Sequence, residues 1–168
     1  LALWDGPRRR LLLARDRFGI KPLYVAQWGE DLYFASELLA LGRGGAAPEI
    51  DPKALYAYMA LSCIPAPLSV FRGVRKLLPA ERTVWANGQL RRHVYWAPQS
   101  VPVPSGHAHA AEALAQRLDA SVQAHLVSDV PVAAFLSGGV DSSTVVAMAQ
   151  RPAKMETFCV SFPDSGLD

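Results

Sequence analysis

Short apolar runs separated by turn residues fill the first third of the chain. The first two runs flank Asp5-Gly6-Pro7 and the next two flank Trp28-Gly29-Glu30-Asp31, so each pair predicts a β-hairpin. Strands that are apolar throughout are typical of sheets covered on both faces. We therefore expect β-structure here, with strands at residues 1–4, 10–14, 22–26 and 32–35.

Two helices are predicted next. Ser36-Glu37 begins a helical turn that continues to Leu41, before the glycine-rich residues 42–45, which we expect to be flexible. Asp51-Pro52 is a favourable helix start, because the Asp side chain can accept backbone N–H groups and Pro at the first position loses no hydrogen bond. This helix is expected to reach Leu61, and the residues predicted to share one of its faces are Leu55, Tyr58, Met59 and Ser62.

A third hairpin follows, with strands at residues 83–87 and 90–96 joined at Asn87-Gly88, a dipeptide that favours tight primed turns. The sequence around Pro65 and Pro67 is too irregular to assign.

The pattern changes after residue 97. Pro98, Pro102 and Pro104 lie in a segment without periodicity, which predicts a linker at residues 98–107. An apolar residue then recurs every fourth position from Leu114 to Leu126, which predicts an amphipathic helix over residues 108–127. A short buried strand at 132–136, a helix at 141–150 and a strand at 156–162 follow, and this order predicts a parallel α/β unit. The chain therefore divides into a β-rich part up to residue 97 and an α/β part from residue 108.

The composition indicates a packed protein. Apolar residues make up 51% of the chain and charged residues 19%, with a net charge of +2. Arg8-Arg9-Arg10 and Arg91-Arg92 have no interleaved aromatic residues, so we interpret them as a solvated turn and an exposed strand face and expect no nucleic-acid partner. No stretch reaches the roughly 18 apolar residues that a membrane span requires, so no membrane partner is expected.

The two cysteines, Cys63 and Cys159, have apolar neighbours and no CxxC spacing. We expect them to be buried, reduced thiols rather than a disulfide or a metal site, which suits a cytoplasmic location. The chain begins at Leu1 rather than Met, so the absence of a targeting segment says little about the whole gene product.

The residues that carry chemistry are Ser137-Gly138-Gly139-Val140-Asp141-Ser142-Ser143, placed between a predicted strand and a predicted helix. Two glycines let the backbone approach an anion closely, and the helix start presents free N–H groups and the positive end of its dipole. Successive N–H groups and the serine hydroxyls would then hold a phosphate chain.

The common alternatives for such a loop do not match. The sequence has no GxxxxGK[ST], no GxSxG and no GxGxxG at this position. A plain Gly-Gly turn followed by an Asp or Ser helix cap is the structural alternative. Asp141 suits a phosphate site only if a cation such as Mg²⁺ lies between them, or if it caps the helix, and both roles stay open.

The loop resembles the SGGxDSS signature of the ATP pyrophosphatase superfamily, whose members cleave ATP to AMP and pyrophosphate. Other segments are similar to those of class B, glutamine-hydrolysing asparagine synthetases, and the resemblance covers nearly the whole chain in order. These segments are residues 15–24, Ala35-Ser36-Glu37, Tyr95-Trp96 and residues 129–136.

This resemblance implies a mixed α+β and α/β fold. Residues 1–97 would be the C-terminal part of an N-terminal-nucleophile glutaminase, a four-layer sandwich, and residues 108–168 the first units of a parallel-sheet ATP pyrophosphatase domain. It also implies a ligase that makes asparagine from aspartate and glutamine. Aspartate would attack ATP to give β-aspartyl-AMP and pyrophosphate, and ammonia from glutamine would displace AMP. The implied cofactors are ATP and Mg²⁺, and a homodimer is expected.

The resemblance assigns two groups of site residues. Backbone contacts with the nucleotide would come from Leu136 and Val160, for which core packing is the alternative. The pyrophosphate loop would comprise Ser137, Gly138, Gly139, Asp141 and Ser142, with Asp141 also a candidate Mg²⁺ ligand through the phosphates. We expect a structural role for residues 15–24, and Glu37 is either a catalytic carboxylate or a helix-start cap.

Departures from the family pattern limit these expectations. The nucleophilic Cys and the glutamine-binding positions are expected before Leu1, and the aspartate pocket beyond Asp168, so this chain alone is expected to be inactive. Leu78-Pro79-Ala80 carries Ala where relatives often have Gly, which puts the turn geometry in question. Two alternatives stay open: a related amidotransferase or β-lactam-forming ligase acting on another carboxylate, and a non-catalytic homologue.

Overall fold

The computed structural model describes residues 1–42, 49–100, 107–152 and 154–161. The chain divides into two compact units, Leu1–Gln99 and Ser100–Asp168. Residues 43–45 of the predicted glycine-rich segment, most of the predicted linker, and Phe162 lie outside the described residues.

The elements of the first unit are β1 (Ala2–Asp5), β2 (Arg10–Ala14), β3 (Tyr24–Trp28), β4 (Asp31–Ala35), α1 (Leu38–Gly42), α2 (Pro52–Leu61), β5 (Val74–Lys76), β6 (Glu81–Ala86) and β7 (Gln89–Val94). The strands form two antiparallel sheets with the orders β1-β2-β6-β7 and β4-β3-β5. All three predicted hairpins are confirmed, and Asn87 and Gly88 have the positive φ values, 50° and 71°, that a primed turn requires.

The two sheets pack together through a buried apolar cluster that includes Leu13 of β2 and Val25 of β3. The neighbouring residue Ala26 lies in a second cluster, with Leu41 of α1 and Val74 of β5. β3 is therefore covered on both faces, as its apolar sequence predicts. β1 is not covered in this way, because Leu3 and Trp4 are more than half exposed.

The sequence pattern missed β5, which pairs with β3 in the register Tyr24↔Lys76, Val25↔Arg75 and Ala26↔Val74. β5 is only three residues long and two of them are basic. Such a segment has no apolar periodicity of its own, and its conformation comes from the strand beside it.

α2 begins as predicted, with the N–H of Lys53 donating to the Asp51 carboxylate at 2.9 Å. The side of α2 that packs against the rest of the unit is not the face that carries Leu55, Tyr58 and Met59. Ala54 is the buried residue of α2, whereas Leu55, Tyr58 and Met59 are at least half exposed. The apolar residues surround most of this helix, so their spacing does not determine which side packs.

The turn before β6 keeps its geometry without glycine. Ala80 adopts φ 55° and is 2% exposed, its N–H donates to the carbonyl of Asp16, and its carbonyl accepts from Tyr95. An alanine in the left-handed region is strained, because Cβ lies too close to the carbonyl oxygen. The turn is therefore maintained by its hydrogen bonds and packing.

Replacing Ala80 with Val is expected to destabilise the first unit by about 2–3 kcal/mol, because a β-branched side chain meets both the left-handed backbone and a filled core. The measurement is urea unfolding followed by tryptophan fluorescence, which reports on this unit because Trp4, Trp28, Trp85 and Trp96 all lie in it. Ala86→Val adds the same atoms to an extended strand position and is the matched control. Equal, small effects of both substitutions would contradict the strain at Ala80.

In the second unit, α3 (His107–His125) and α4 (Val140–Ala149) pack through Val122, Met148 and Ala149. β8 (Ala133–Phe135) pairs in parallel with β9 (Glu156–Phe158), and α4 connects them. The expectation of a buried strand is wrong for β8. Phe135 is 77% exposed, and its register partner Phe158 is 54% exposed.

The expectation that the cysteines are buried is also wrong, since Cys63 and Cys159 are both exposed free thiols. Cys63 directly follows the left-handed residue Ser62 at the end of α2, and Cys159 directly follows β9. Their apolar neighbours in sequence therefore do not enclose them. No helix in the described part of the chain combines the length and the apolar character needed to cross a membrane.

Candidate functional site

The glycine-rich loop lies at the carboxyl edge of the β8–β9 pair. Pairing ends where the loop begins, with the N–H of Leu136 donating to the carbonyl of Phe158 at 2.8 Å. Because the strands are parallel, the residues that follow them emerge at the same edge, which is where open α/β sheets bind ligands. The fold therefore brings Leu136, Ser137 and Val160 to one edge.

Leu136 and Val160 differ in their surroundings. Leu136 is partly buried, whereas the Val160 side chain is 66% exposed. Core packing, the alternative interpretation of these two residues, is therefore wrong for Val160 within the described residues. A backbone contact with a ligand stays a prediction for both.

The loop backbone leaves the start of α4 open. Gly138 has φ 77°, a conformation that strains any other residue, although a Cβ there would meet nothing within 4 Å. Gly139 is the N-cap residue, with φ −71° and ψ 156°, and as a glycine it has no side chain that could accept from the first N–H groups of α4. The first N–H groups of α4 have no acceptor within the helix, so this terminus can receive an anion.

Three polar side chains lie at this helix terminus, those of Ser137, Asp141 and Ser142. The Ser137 and Ser142 hydroxyl oxygens are 3.0 Å apart, and the Ser142 hydroxyl also donates to the Gly139 carbonyl at 3.1 Å. Asp141 is exposed in the first turn of α4. Because Gly139, and not Asp141, occupies the N-cap position, the alternative in which Asp141 caps the helix is wrong.

Asp141 suits a magnesium ion that is shared with phosphates. Mg²⁺ binds hard oxygen ligands, retains several waters, and commonly uses one or two carboxylates together with substrate phosphates. A single exposed carboxylate beside a helix start that can receive an anion fits that pattern. A metal site built from protein alone does not fit, since the described residues contain no group of three His, Cys, Asp or Glu side chains that could hold an ion.

The first unit contains a cavity of about 380 Å³ that the sequence does not anticipate, because the glutamine-binding positions are expected before Leu1. Asp16 is one of its lining residues, and its carboxylate takes part in the local hydrogen bonding. This carboxylate accepts from the N–H groups of Ile20 and Lys21 at 2.9 and 3.2 Å. The Ile20 N–H is the largest cause that holds the pKa of Asp16 below its usual value; burial opposes it and the Lys21 N–H adds to it. The cavity therefore presents a carboxylate that is charged at neutral pH.

Arg15 shapes the loop that carries Asp16. Its guanidinium donates to the carbonyls of Lys21, Gly19 and Leu77, so it joins both ends of the loop to the core. A Cβ at Gly19 would lie 2.8 Å from the Arg15 guanidinium carbon, and Gly19 has φ 66°. The geometry agrees with the structural role predicted for residues 15–24.

Replacing Arg15 with Lys is expected to destabilise the first unit by about 2–3 kcal/mol. The planar guanidinium donates to three carbonyls in different directions, and a single ammonium group cannot reach all of them. The measurement is the change in free energy of unfolding by urea with tryptophan fluorescence. Arg8→Lys is the control, since Arg8 is 70% exposed and its pairing with Asp5 is solvated, so its contribution to stability is expected to be small. A loss at Arg15 no larger than that of the control would contradict the role of its three hydrogen bonds.

Comparison with protein-family models gives two matches. Residues 1–96 match the model described as a glutamine amidotransferase domain. Residues 113–168 match the model described as asparagine synthase. The loop and both strands of the second unit lie within the second match.

Several curated proteins are similar over nearly the whole chain. Asparagine synthetase [glutamine-hydrolyzing] 1 of Bacillus subtilis is 35% identical over 98% of this chain and 26% of its own length. Asparagine synthetase [glutamine-hydrolyzing] 3 of the same organism is 29% identical, over 98% and 28%. Amidase chyE of Penicillium rubens is 33% identical, over 99% and 27%. The chain thus spans about a quarter of the length of these relatives.

Proposed function

Because the chain belongs to the glutamine amidotransferase domain family, joined here to the start of an asparagine synthase domain, we propose that it is part of a glutamine-dependent asparagine synthetase. The observation that carries the proposal is the Ser137–Ser143 loop at the carboxyl edge of a parallel strand pair, with an uncapped helix start behind it. A cytoplasmic location and a homodimer belong to the same proposal.

The proposed reaction has two steps in the synthetase part. A carboxylate oxygen of aspartate attacks the α-phosphorus of ATP, and the bond to pyrophosphate breaks, which gives β-aspartyl-AMP. Ammonia then attacks the acyl carbon, AMP leaves with the electron pair of the broken bond, and the amide nitrogen loses a proton. The ammonia comes from hydrolysis of glutamine to glutamate in the amidotransferase part.

The loop would hold the departing pyrophosphate. The N–H groups at the start of α4 and the Ser137 hydroxyl would face the negative charge that grows as the bond to the α-phosphorus breaks, and fixed donors stabilise such charge without reorganising. Leu136 and Val160 would contact the nucleotide through their backbones at the same edge. Asp141 would hold Mg²⁺, which supplies charge neutralisation between the phosphates.

We also propose that the cavity beside Asp16 receives glutamine. An ionised carboxylate attracts the α-ammonium group of an amino acid, and Asp16 supplies one at this cavity. The match of residues 1–96 to a glutamine amidotransferase domain favours glutamine over other amines. The sequence feature that could have indicated this site is Asp16, which lies in residues 15–24, a segment predicted to have only a structural role.

A second candidate function keeps the fold and changes the acceptor carboxylate. The relative named amidase chyE is as similar to this chain as the asparagine synthetases are, and Gibberella zeae has a relative named amidase chry2, 33% identical over 92% of this chain. The similarity therefore supports membership of the glutamine amidotransferase and asparagine synthase families more strongly than it supports aspartate as the acceptor.

Isotope transfer tests the proposal and separates the candidates. The full-length protein is incubated with ATP, aspartate and glutamine labelled with ¹⁵N in the amide, and the products are identified by mass spectrometry. We expect labelled asparagine together with unlabelled glutamate. Labelled amide on another added carboxylic acid, without asparagine, would select the second candidate, and label released only as ammonia would contradict both.

A further inference from the structure

Tyr95 directly follows β7 and is hydrogen-bonded to the loop of residues 15–21, which carries Asp16. Its hydroxyl donates to the carbonyl of Arg15 at 2.7 Å. Its N–H donates to the carbonyl of Ala80 at 2.8 Å, and the N–H of Ala80 in turn donates to the carbonyl of Asp16 at 2.9 Å. Tyr95 therefore holds the backbone of this loop at Arg15 directly and at Asp16 through Ala80.

Trp96 holds the same loop on the other side of Asp16. Its ring meets the Phe18 ring edge to face, with the centroids 5.2 Å apart, and the Arg17 guanidinium lies over the Trp96 ring at 5.8 Å from its centroid. Both arrangements are attractive, because the face of an aromatic ring is negative and its edge is positive. Tyr95 and Trp96 together thus contact the residues immediately before and after Asp16.

These contacts matter because the loop backbone directs the Asp16 carboxylate. The carboxylate accepts from the N–H groups of Ile20 and Lys21, so its direction follows the conformation of the loop. An ionised carboxylate has about four acceptor sites, and these two N–H groups leave capacity for an ammonium group. A displacement of the loop would move the carboxylate relative to the other lining residues of the cavity, such as Leu23 and Ser36.

Both residues act on the cavity through the loop. Tyr95 is itself a lining residue, but a phenol has a single proton and the Arg15 carbonyl receives it. The Tyr95 hydroxyl therefore does not donate to a ligand while this hydrogen bond is intact. Within the described residues, Trp96 does not line the cavity, so its effect on a ligand is indirect as well.

We propose that Tyr95 and Trp96 are positioning residues for the glutamine site, which hold residues 15–18 so that the Asp16 carboxylate meets the α-ammonium group of the substrate. The inference rests on the proposed function of the cavity and deepens it, because it adds two residues that set the affinity for glutamine through the loop. It requires that their removal weaken the binding of ligands that carry the ammonium group and spare those that lack it.

Steady-state kinetics of the full-length protein test this requirement. The variants are Tyr95→Phe, which removes only the hydroxyl, Trp96→Leu, which removes the ring contacts, and Trp96→Phe, which keeps an aromatic ring. KM and kcat are measured from the release of ammonia from glutamine. The inhibition constants of L-glutamate and of glutarate, which lacks the α-ammonium group, are measured alongside. Tyr56→Phe is the matched control, since Tyr56 is 78% exposed on α2.

We expect Tyr95→Phe and Trp96→Leu each to raise the KM for glutamine and the inhibition constant of L-glutamate by about 5-fold, the scale of one lost hydrogen bond. The value of kcat and the inhibition constant of glutarate should stay within about 2-fold, because an interaction made equally in the ground state and the transition state affects binding alone. Trp96→Phe and the control should also stay within about 2-fold of the unaltered protein. Equal weakening of glutamate and glutarate, or a loss of kcat at unchanged KM, would overturn the positioning role.

Asp16→Asn separates this inference from the proposed function of the cavity. Removing the charge is expected to raise the KM for glutamine by about 10-fold or more, the scale of a hydrogen bond to a charged group. An unchanged KM in this variant would contradict the assignment of glutamine to the cavity. A raised KM in Asp16→Asn together with unaltered Tyr95 and Trp96 variants would contradict the positioning role alone.

Discussion

Replacing Asp141 with Asn in the full-length protein is expected to lower the rate of ATP cleavage by on the order of 100-fold while glutamine hydrolysis continues. Asn has nearly the same shape as Asp, so the helix start should remain intact. What is lost is the negative charge that would hold Mg²⁺ between the loop and the phosphates.

The measurement for this variant follows pyrophosphate and glutamate in the same reaction over a range of Mg²⁺ concentrations. The loss should shrink as Mg²⁺ is raised, because a weakened metal site fills at higher concentration. Glu112→Gln removes a charge from an exposed position of α3 and should change neither product. Equal loss of glutamate and pyrophosphate with Asp141→Asn would contradict the division of labour between the two parts.

Replacing Glu81 with Ala is expected to destabilise the first unit by about 3–5 kcal/mol, the cost of breaking a buried ion pair by removing one partner. Glu81 is 1% exposed at the start of β6. Its carboxylate accepts from the Arg75 guanidinium at 2.8 Å and from the Leu78 N–H at 2.8 Å. Removing it leaves a guanidinium that is 24% exposed and a part-buried N–H without their acceptor.

The size of this effect matters because domains are commonly stable by only about 5–15 kcal/mol. The measurement is urea unfolding followed by tryptophan fluorescence. Glu49→Ala is the control, because its pair with Arg72 is 75% and 63% exposed and is expected to contribute less than about 1 kcal/mol. A Glu81 variant as stable as the Glu49 variant would show that the buried pair does not hold β5 to β6.

The sequence predicts elements that are determined by their own residues. Asn87-Gly88 can form the primed turn and Asp51 can cap α2 because both effects act within a few positions. The glycine-rich loop is of the same kind, since its two glycines, its serines and the following helix are contiguous. These features could therefore be located before any fold was known.

Features that depend on distant partners were missed or misjudged. β5 is a strand because β3 lies beside it, and Glu81 can be buried because Arg75 reaches it from the other sheet. The packed side of α2 and the exposure of Cys63 depend in the same way on which surfaces meet. The cavity beside Asp16 depends on the conformation of its loop, which Arg15 stabilises through hydrogen bonds to three backbone carbonyls. No local spacing encodes such contacts.

Pyrophosphate release from ATP by the full-length protein, screened across amino acids with and without glutamine, tests most directly the claim that the Ser137–Ser143 loop serves an asparagine-forming ligase. We predict release that depends on aspartate, with asparagine appearing when glutamine is added. Release that depends on another carboxylic acid would support ATP cleavage at the loop but contradict asparagine as the product. If no acceptor led to pyrophosphate release, the result would contradict the assignment of the Ser137–Ser143 loop to an ATP-cleaving ligase.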